Sequence, residues 1–507
     1  MPRIKRERSE EPDAPSKRGR GRNRVGGDLA SLLKLHGLTP RGVPDETGRP
    51  AEVGSVIAEA ANSVYPASSK LADVAWGPSQ VPVAPGKQNA EHVLPLPPSS
   101  SAPISLQVES DRISLTPLTS ITLANPRVPA RPMHLLDTAG HVYDVQWAPH
   151  RPWLAVAVAA ERNARSTYDA VLTGGAIQVW EVRVGTDPSL IMSLACPGGT
   201  PCRLAWHASG VLAASYSDGS VRVLTLPEVR TPSQVEAEEA LSVRVPGAHA
   251  YSLAWCGNRL AIGCTSGDIV VVDTATGEIL VQAPVHDTLV TALSWQRLPP
   301  VNTDGVPDVH AQPTTLLSVG LDGTEVVSDT AAMFSPYKLV HTREPRYAAA
   351  WAPYGGLWIV DLGDSQFGSV SLRTHDAGQH HALGFHHGRI LAIATSDAHP
   401  FVATGASDGS VKLTNLLAAG KRKAEDGSRV MHKLLRLQRE ADGAYTMRHA
   451  FFPEGVWPQH ASKHAPPSWD TWDPSVAVTA LAFGAAPGQA LSLASGTALG
   501  IVRIECL

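Results

Sequence analysis

The stretch HDAGQHHALGFHHG at 375–388 carries five histidines: His375, His380, His381, His386 and His387. A zinc site would need three or four ligands converging at bonding distance. Neighbouring residues on a strand point to opposite faces, and no cysteine lies nearby to complete a set. These histidines therefore read as turn and strand-edge residues, with no metal. His449, His460 and His464 form a sparser group that reads the same way. Among the acids, Asp218, Asp268, Asp322 and Asp408 stand in or beside glycine-containing turns, SDGS, TSGD, LDGT and SDGS. Aspartate there serves backbone geometry. Gly219, Gly323 and Gly409 would supply the positive φ of a tight hairpin. No two acids read as an acid/base dyad. No phosphate-binding glycine loop or dinucleotide fingerprint follows a strand. The chain is expected to be non-catalytic and to hold no cofactor.

The other chemistry is charge. In KRGRGRNR at 17–24, Arg18, Arg20 and Arg22 alternate with glycines between Lys17 and Arg24. An extended Arg-Gly-Arg fits a minor groove, where glycine permits close approach and guanidinium meets negative potential. The run resembles an AT-hook core, without the proline that usually follows. The alternative readings are a nuclear-import signal, which the composition favours over DNA contact, or a solvated basic arm. Lys421, Arg422 and Lys423 form a second import-like or phosphate-contacting cluster. After it, RVMHKLLRLQRE (429–440) sets Val430, Leu434 and Leu437 at helical spacing, with Met431 on the flank. That predicts a helix, either docking a partner through Leu434 and Leu437 or packed on the chain's own body. Phe451, Phe452, Trp457, Trp469 and Trp472 follow in a proline-rich setting, where aromatics cap a fold or anchor a partner.

The bulk numbers restrict what carries these groups. The chain has 507 residues and a net charge of −4, with 43 glycines and 41 prolines, so many turns are expected rather than long helices. Residues 1–24 hold nine Lys and Arg against four acids, a balance of +5, so the rest of the chain carries −9. No global basic field points to nucleic acid. The five cysteines show no C-x-x-C pairing, which suits reduced core thiols in an intracellular protein. The start is charged and lacks the apolar core of a signal peptide. No run approaches the roughly 18–20 apolar residues of a membrane helix.

Residues 1–110 read as a disordered, basic and proline-rich extension. Two short helices are expected within it, at 27–37 and 55–65, and seven prolines crowd 77–103. Residues 111–507 have the texture of short strands and turns. RISLTPLTSITL (112–123) alternates like one strand and is a candidate to complete the final sheet. One unit then recurs: a small or apolar run ending in an aromatic, a turn, an L-A-x-A/G run, a glycine turn and an alternating strand. SDGSV at 217–221 and 407–411 marks the same turn in two copies. Seven copies follow, anchored at Trp147, Trp206, Trp255, Trp295, Trp351, Ser396 and Phe483, with a shortest spacing of 40. That spacing suits a four-stranded propeller blade. The excess falls in insertions at 160–174, 227–247, 299–313 and, largest, 418–475. The expected fold is all-β, a seven-bladed propeller behind a disordered extension.

The units resemble WD40 repeats. Gly140-His141, His249 and His286-Asp287 stand near the loop histidine of that family, and Val179-Trp180-Glu181 approximates its WD dipeptide. A narrower resemblance rests on HVYDVQWAPH, GVLAASYSDGSVRVLTLPEV, LAWCGNRLAIGCTSGDIVVVDTATGE and VHDTLVTALSW, in that order. Over roughly 130–415 the chain resembles the WD-repeat subunit of transcription factor IIIC, of the fungal type. The resemblance implies a nuclear, non-enzymatic scaffold. It would dock the large DNA-binding subunit at the B-box element, for RNA polymerase III transcription of transfer-RNA and 5S rRNA genes. Its partners would be the other subunits of that factor, with DNA met indirectly or through the basic tail, and no membrane or small-molecule substrate. The other reading is a nuclear WD40 adaptor that grips chromatin through a histone tail.

Overall fold

The structure is a computed structural model that describes residues 101–507 apart from 163–173, 299–310, 373–377, 417–430, 450–471 and several stretches of one or two residues. The described residues form seven antiparallel-cored sheets. Their innermost strands are Val142–Trp147, Pro201–Trp206, Ala250–Cys256, Val290–Trp295, Ala349–Ala352, Ile390–Thr395 and Val478–Phe483. Each touches the next around the axis, and the seventh touches the first, so the sheets close a ring. They are numbered blades 1 to 7 below. Closure leaves only short outer edges unpaired.

The sequence makes blades because its periods are local. Second strands such as Leu212–Tyr216 are buried throughout and built from small residues, which lets neighbouring sheets pack on both faces. Third strands pair in hairpin register, as in Leu212↔Leu224 and Ala403↔Leu413. The turns between them need positive φ, which is +82° at Gly219 and +74° at Gly409. A Cβ on Gly409 would sit 2.1 Å from the Leu437 carbonyl oxygen, so the turn also tolerates no side chain for lack of room.

Outer strands share one irregularity. In blades 1 to 6 a single extra residue bulges from the fourth strand: Ile191, Ala240, Leu280, Leu339, Leu383 and Leu434. What lies beyond that strand differs. Blade 1 is extended by Ser233–Val235, paired in parallel to Ser189–Ala195. Blade 6 continues outward through Met431–Arg439, Tyr445–Arg448, Ile104–Val108 and Asp111–Leu115, making a seven-stranded sheet. Blades 2 to 5 stop at the fourth strand among the described residues.

Two sequence expectations change here. The run 112–123 is not one strand. Pro117 offers no N–H and Leu118 takes φ +61°, so the chain breaks between Asp111–Leu115 and Ser120–Leu123. The first part joins blade 6. Ring closure instead uses Met133–Asp137, bonded to Ile501–Cys506, with Ser120–Leu123 outside it. The segment expected as a helix at 429–440 is the strand Met431–Arg439. The bulge at Leu434 interrupts the two-residue alternation, leaving buried apolar residues at 431, 434, 435 and 437, with His432 buried as well. A bulged strand and a helix face then carry the same spacing.

Candidate functional site

The inner strands line a central channel of about 410 Å³. Ala205, Ala254, Ala292, Ala350, Ala394 and Ala482 contribute to its wall, and these small residues hold it open. Its charged groups include Asp144 and Arg203 on blades 1 and 2. The buried Asp144 carboxylate accepts from Leu204 N (2.8 Å) and Val145 N (2.9 Å). Burial raises its pKa, and Arg203 opposes the rise. Arg203 donates to the Tyr143 carbonyl at 2.8 Å and lies 5.2 Å over the Tyr251 ring. Both groups are thus bound into the wall.

The aromatic anchors clamp one blade to the one before. Trp147 Nε1 donates to Ala482 O (3.2 Å), Trp206 to Gln146 O (3.2 Å), Trp255 to Ala205 O (2.9 Å) and Trp295 to Ala254 O (3.0 Å). Each such bond contributes about 0.5–1.5 kcal/mol. In blade 5 the donor moves to the facing strand: Trp358, packed edge-on to Trp351 at 5.0 Å, donates to Ser294 O (3.1 Å). In blade 6 the pairing register puts Thr395, not Ser396, at the anchor position, and Thr395 donates to Trp351 O (2.7 Å).

Blades 4 and 6 carry the polar sets. His286 Nε2 lies 2.8 Å from Ser318 Oγ, and its Nδ1 is 3.2 Å from Asp322. His386 Nε2 lies 2.8 Å from Thr404 Oγ1, and its Nδ1 is 2.9 Å from Ser410 Oγ and 3.7 Å from Asp408. Burial opposes ionisation of both aspartates. Bonds from the histidines and from turn N–H groups nevertheless hold both carboxyls well below the usual range. Register explains which histidines take part. His286 and His386 stand four residues before the first paired inner-strand residues, Val290 and Ile390. His141 and His249 stand only one residue before Val142 and Ala250, so they miss the position expected of them. His386 is the member that the histidine-rich run concealed. Its signal was Thr404 and Asp408 spaced as Ser318 and Asp322 are.

Asp218, Asp322 and Asp408 each accept a backbone N–H from two residues on, at 2.9, 2.9 and 3.0 Å. Asp218 also pairs with Arg244 at 2.7 Å. The buried Glu325 joins blades 4 and 5, 3.3 Å from the buried Arg346 and 2.8 Å from the half-buried His380. Nearby, burial pushes Asp361 up to about 7, although Tyr347 N and Gly363 N donate to it. Among the described residues no three His, Cys, Asp or Glu side chains come together as a metal site.

The docking candidates separate sharply. Leu434 and Leu437 are fully buried in their own blade, the second of the two settings the sequence left open for them. Trp472 is half-buried, with Arg436 stacked 4.9 Å over it and its Nε1 donating to His387 O at 3.1 Å. Lys17, Arg18, Arg20, Arg22, Arg24, Lys421, Arg422, Lys423, Trp457 and Trp469 lie outside the described residues.

Two family models match the chain. Residues 379–415, from the outer strand of blade 5 to the third strand of blade 6, match the WD domain, G-beta repeat. Residues 241–297, spanning blade 3, match the anaphase-promoting complex subunit 4 WD40 domain. The chain is a WD40-type β-propeller. It is 24% identical over 407 residues to transcription factor tau subunit sfc6 of Schizosaccharomyces pombe, covering 75% of this chain and 66% of that protein. It also aligns with a chain from the crystal structure of the mitotic checkpoint complex. That alignment has a TM-score of 0.47 and 14% identity, over 76% of this chain and 98% of the other.

Proposed function

We propose that this propeller is a non-catalytic scaffold subunit of transcription factor IIIC in the nucleus. It docks the large DNA-binding subunit at the B-box element and so serves RNA polymerase III on transfer-RNA and 5S rRNA genes. The observation that carries the reading is the 24% identity to a transcription factor tau subunit, sustained over 407 residues. The disposition of the acids agrees with a scaffold. Asp144, Asp322, Asp361 and Asp408 accept backbone N–H groups rather than facing one another across a cleft. The basic tail at 17–24 adds a salt-dependent phosphate contact.

Affinity purification of the tagged full chain tests this reading. The expected result is recovery of the other factor IIIC subunits, with capture of a transfer-RNA gene fragment that is lost when the B-box is altered. Recovery of histone-modifying complexes without those subunits would overturn it in favour of the chromatin adaptor. Replacing Arg18, Arg20 and Arg22 by Ala should weaken DNA capture and flatten its salt dependence, by about 0.9 in log–log slope for each phosphate that is no longer neutralised. If only nuclear import changes, the tail does not touch DNA.

A further inference from the structure

The bulged residue of the outer strand occupies the same place in six blades, and its setting differs among them: Leu383 of blade 5 is 5% exposed with no described strand outside it, packed within its own blade and the next. In blade 6 Leu434 is 0% exposed, in a core with Leu106 and Met447 from the strands added outside it. In blade 1 Ile191 is half-buried, in one cluster with Val235 of the added parallel strand. In blade 3 the equivalent Leu280 is 44% exposed, beside Ile279 at 41%. Only four large apolar residues are exposed among the described ones, and these two are adjacent. The strand that carries them, Glu278–Pro284, bonds to Asp268–Asp273 on one side and, among the described residues, ends the sheet on the other. Its outer edge is the template for strand addition that the molecule fills for itself on blades 1 and 6.

The surroundings state the chemistry of what fits. The strand holds Glu278 and no Lys or Arg, and the blade's third strand, just before it, ends at Asp273. A Cβ on Gly277 would lie 3.4 Å from Leu241 of blade 2, whose outer strand brings the exposed Glu238, and Glu239 paired with Arg222 at 3.1 Å, to the same rim. Blade 6 is the opposite case: its covered strand carries Lys433, Arg436 and Arg439. The chain's own basic segment, residues 1–24, has Ile4 as its one branched apolar residue and so lacks an alternation of branched apolar and basic residues. We infer that an extended segment of another polypeptide, alternating branched apolar and basic residues, adds as a fifth strand to the outer edge of blade 3 at Glu278–Pro284. Main-chain bonds would supply affinity, Ile279 and Leu280 the apolar contact, and the acidic rim the selection for basic residues. Strand addition at this edge does not depend on membership of factor IIIC.

The first test uses the full chain and a labelled short peptide of alternating valine and lysine, followed by fluorescence anisotropy. Wild type should bind it. Leu280→Asp and Glu278→Lys should each weaken binding roughly tenfold, and methylating alternate amide nitrogens of the peptide should abolish it. Val184→Asp, at a residue 73% exposed elsewhere, should leave binding unchanged. All three sites are exposed, and equal melting temperatures would exclude misfolding. The second test places a photo-crosslinking amino acid at Ile279 in the chain purified with its bound partners. Adducts on a segment of another polypeptide with the stated alternation support the inference. It is overturned by adducts confined to this chain or a second copy of it, by adducts on segments lacking the alternation, or by peptide binding indifferent to Leu280→Asp.

Discussion

Blades 3 and 6 are built to one plan and end in opposite ways. Both have four strands, a glycine turn between the second and third, and a bulge in the fourth. In blade 6 three further strands bury the bulged Leu434, and a His386–Thr404–Asp408 set braces the inner turn. In blade 3 the bulged Leu280 faces outward, and Ser266 stands where Asp408 does. His249 beside it is exposed. The difference teaches that the repeat fixes strands and turns but not what covers them. Cover comes from remote parts of the chain or, on blade 3, from another molecule.

The largest expected effect tests the cover directly. Leu434→Ala should cost about 2–5 kcal/mol, since it empties a closed core, whereas Leu280→Ala should stay within about 0.5 kcal/mol in the isolated protein. Urea unfolding midpoints measure both; equal losses would break the comparison. Next in size is the brace. His386→Ala removes the imidazole that bonds the buried Thr404 and stands beside Asp408, and should cost about 1–3 kcal/mol. Ser266→Ala in blade 3 should lie within about 0.5 kcal/mol by the same measurement.

The smallest effect is a dependence on pH. The folded Asp408 carboxyl titrates below its ordinary value near 3.8. Its contribution is therefore present above that value and lost as pH falls below it. Asp408→Asn should flatten the acid limb of the stability curve below about pH 4, by on the order of 1 kcal/mol. Ser266→Asp in blade 3 should steepen it far less, because no histidine stands four residues before Ala250 to pair with the new carboxylate. Thermal melts from pH 5 to 2 distinguish the two.

Much of this architecture is legible in the sequence because its causes are local. A glycine at positive φ, an aspartate two residues before the N–H it accepts, and small residues in a doubly buried strand are each decided within a few positions. The aromatic anchors are visible for the same reason. What the sequence could not display depends on register and on distant chain. The helical spacing of Leu434 and Leu437 comes from a bulge, which exists only once a partner strand fixes the pairing. The role of His386, hidden in a run of histidines, follows from its distance to the first paired residue of its own inner strand. The anchor at Thr395 and the donor at Trp358 follow from pairing registers too. The final sheet is closed by Met133–Asp137, and blade 6 is covered by Ile104–Val108, in each case by chain more than 300 residues away. The sequence by itself therefore determined the blade, a unit of local backbone chemistry. Only the tertiary structure decided which edges are covered and which stay open, because strand addition bonds backbone to backbone and leaves little trace in residue type.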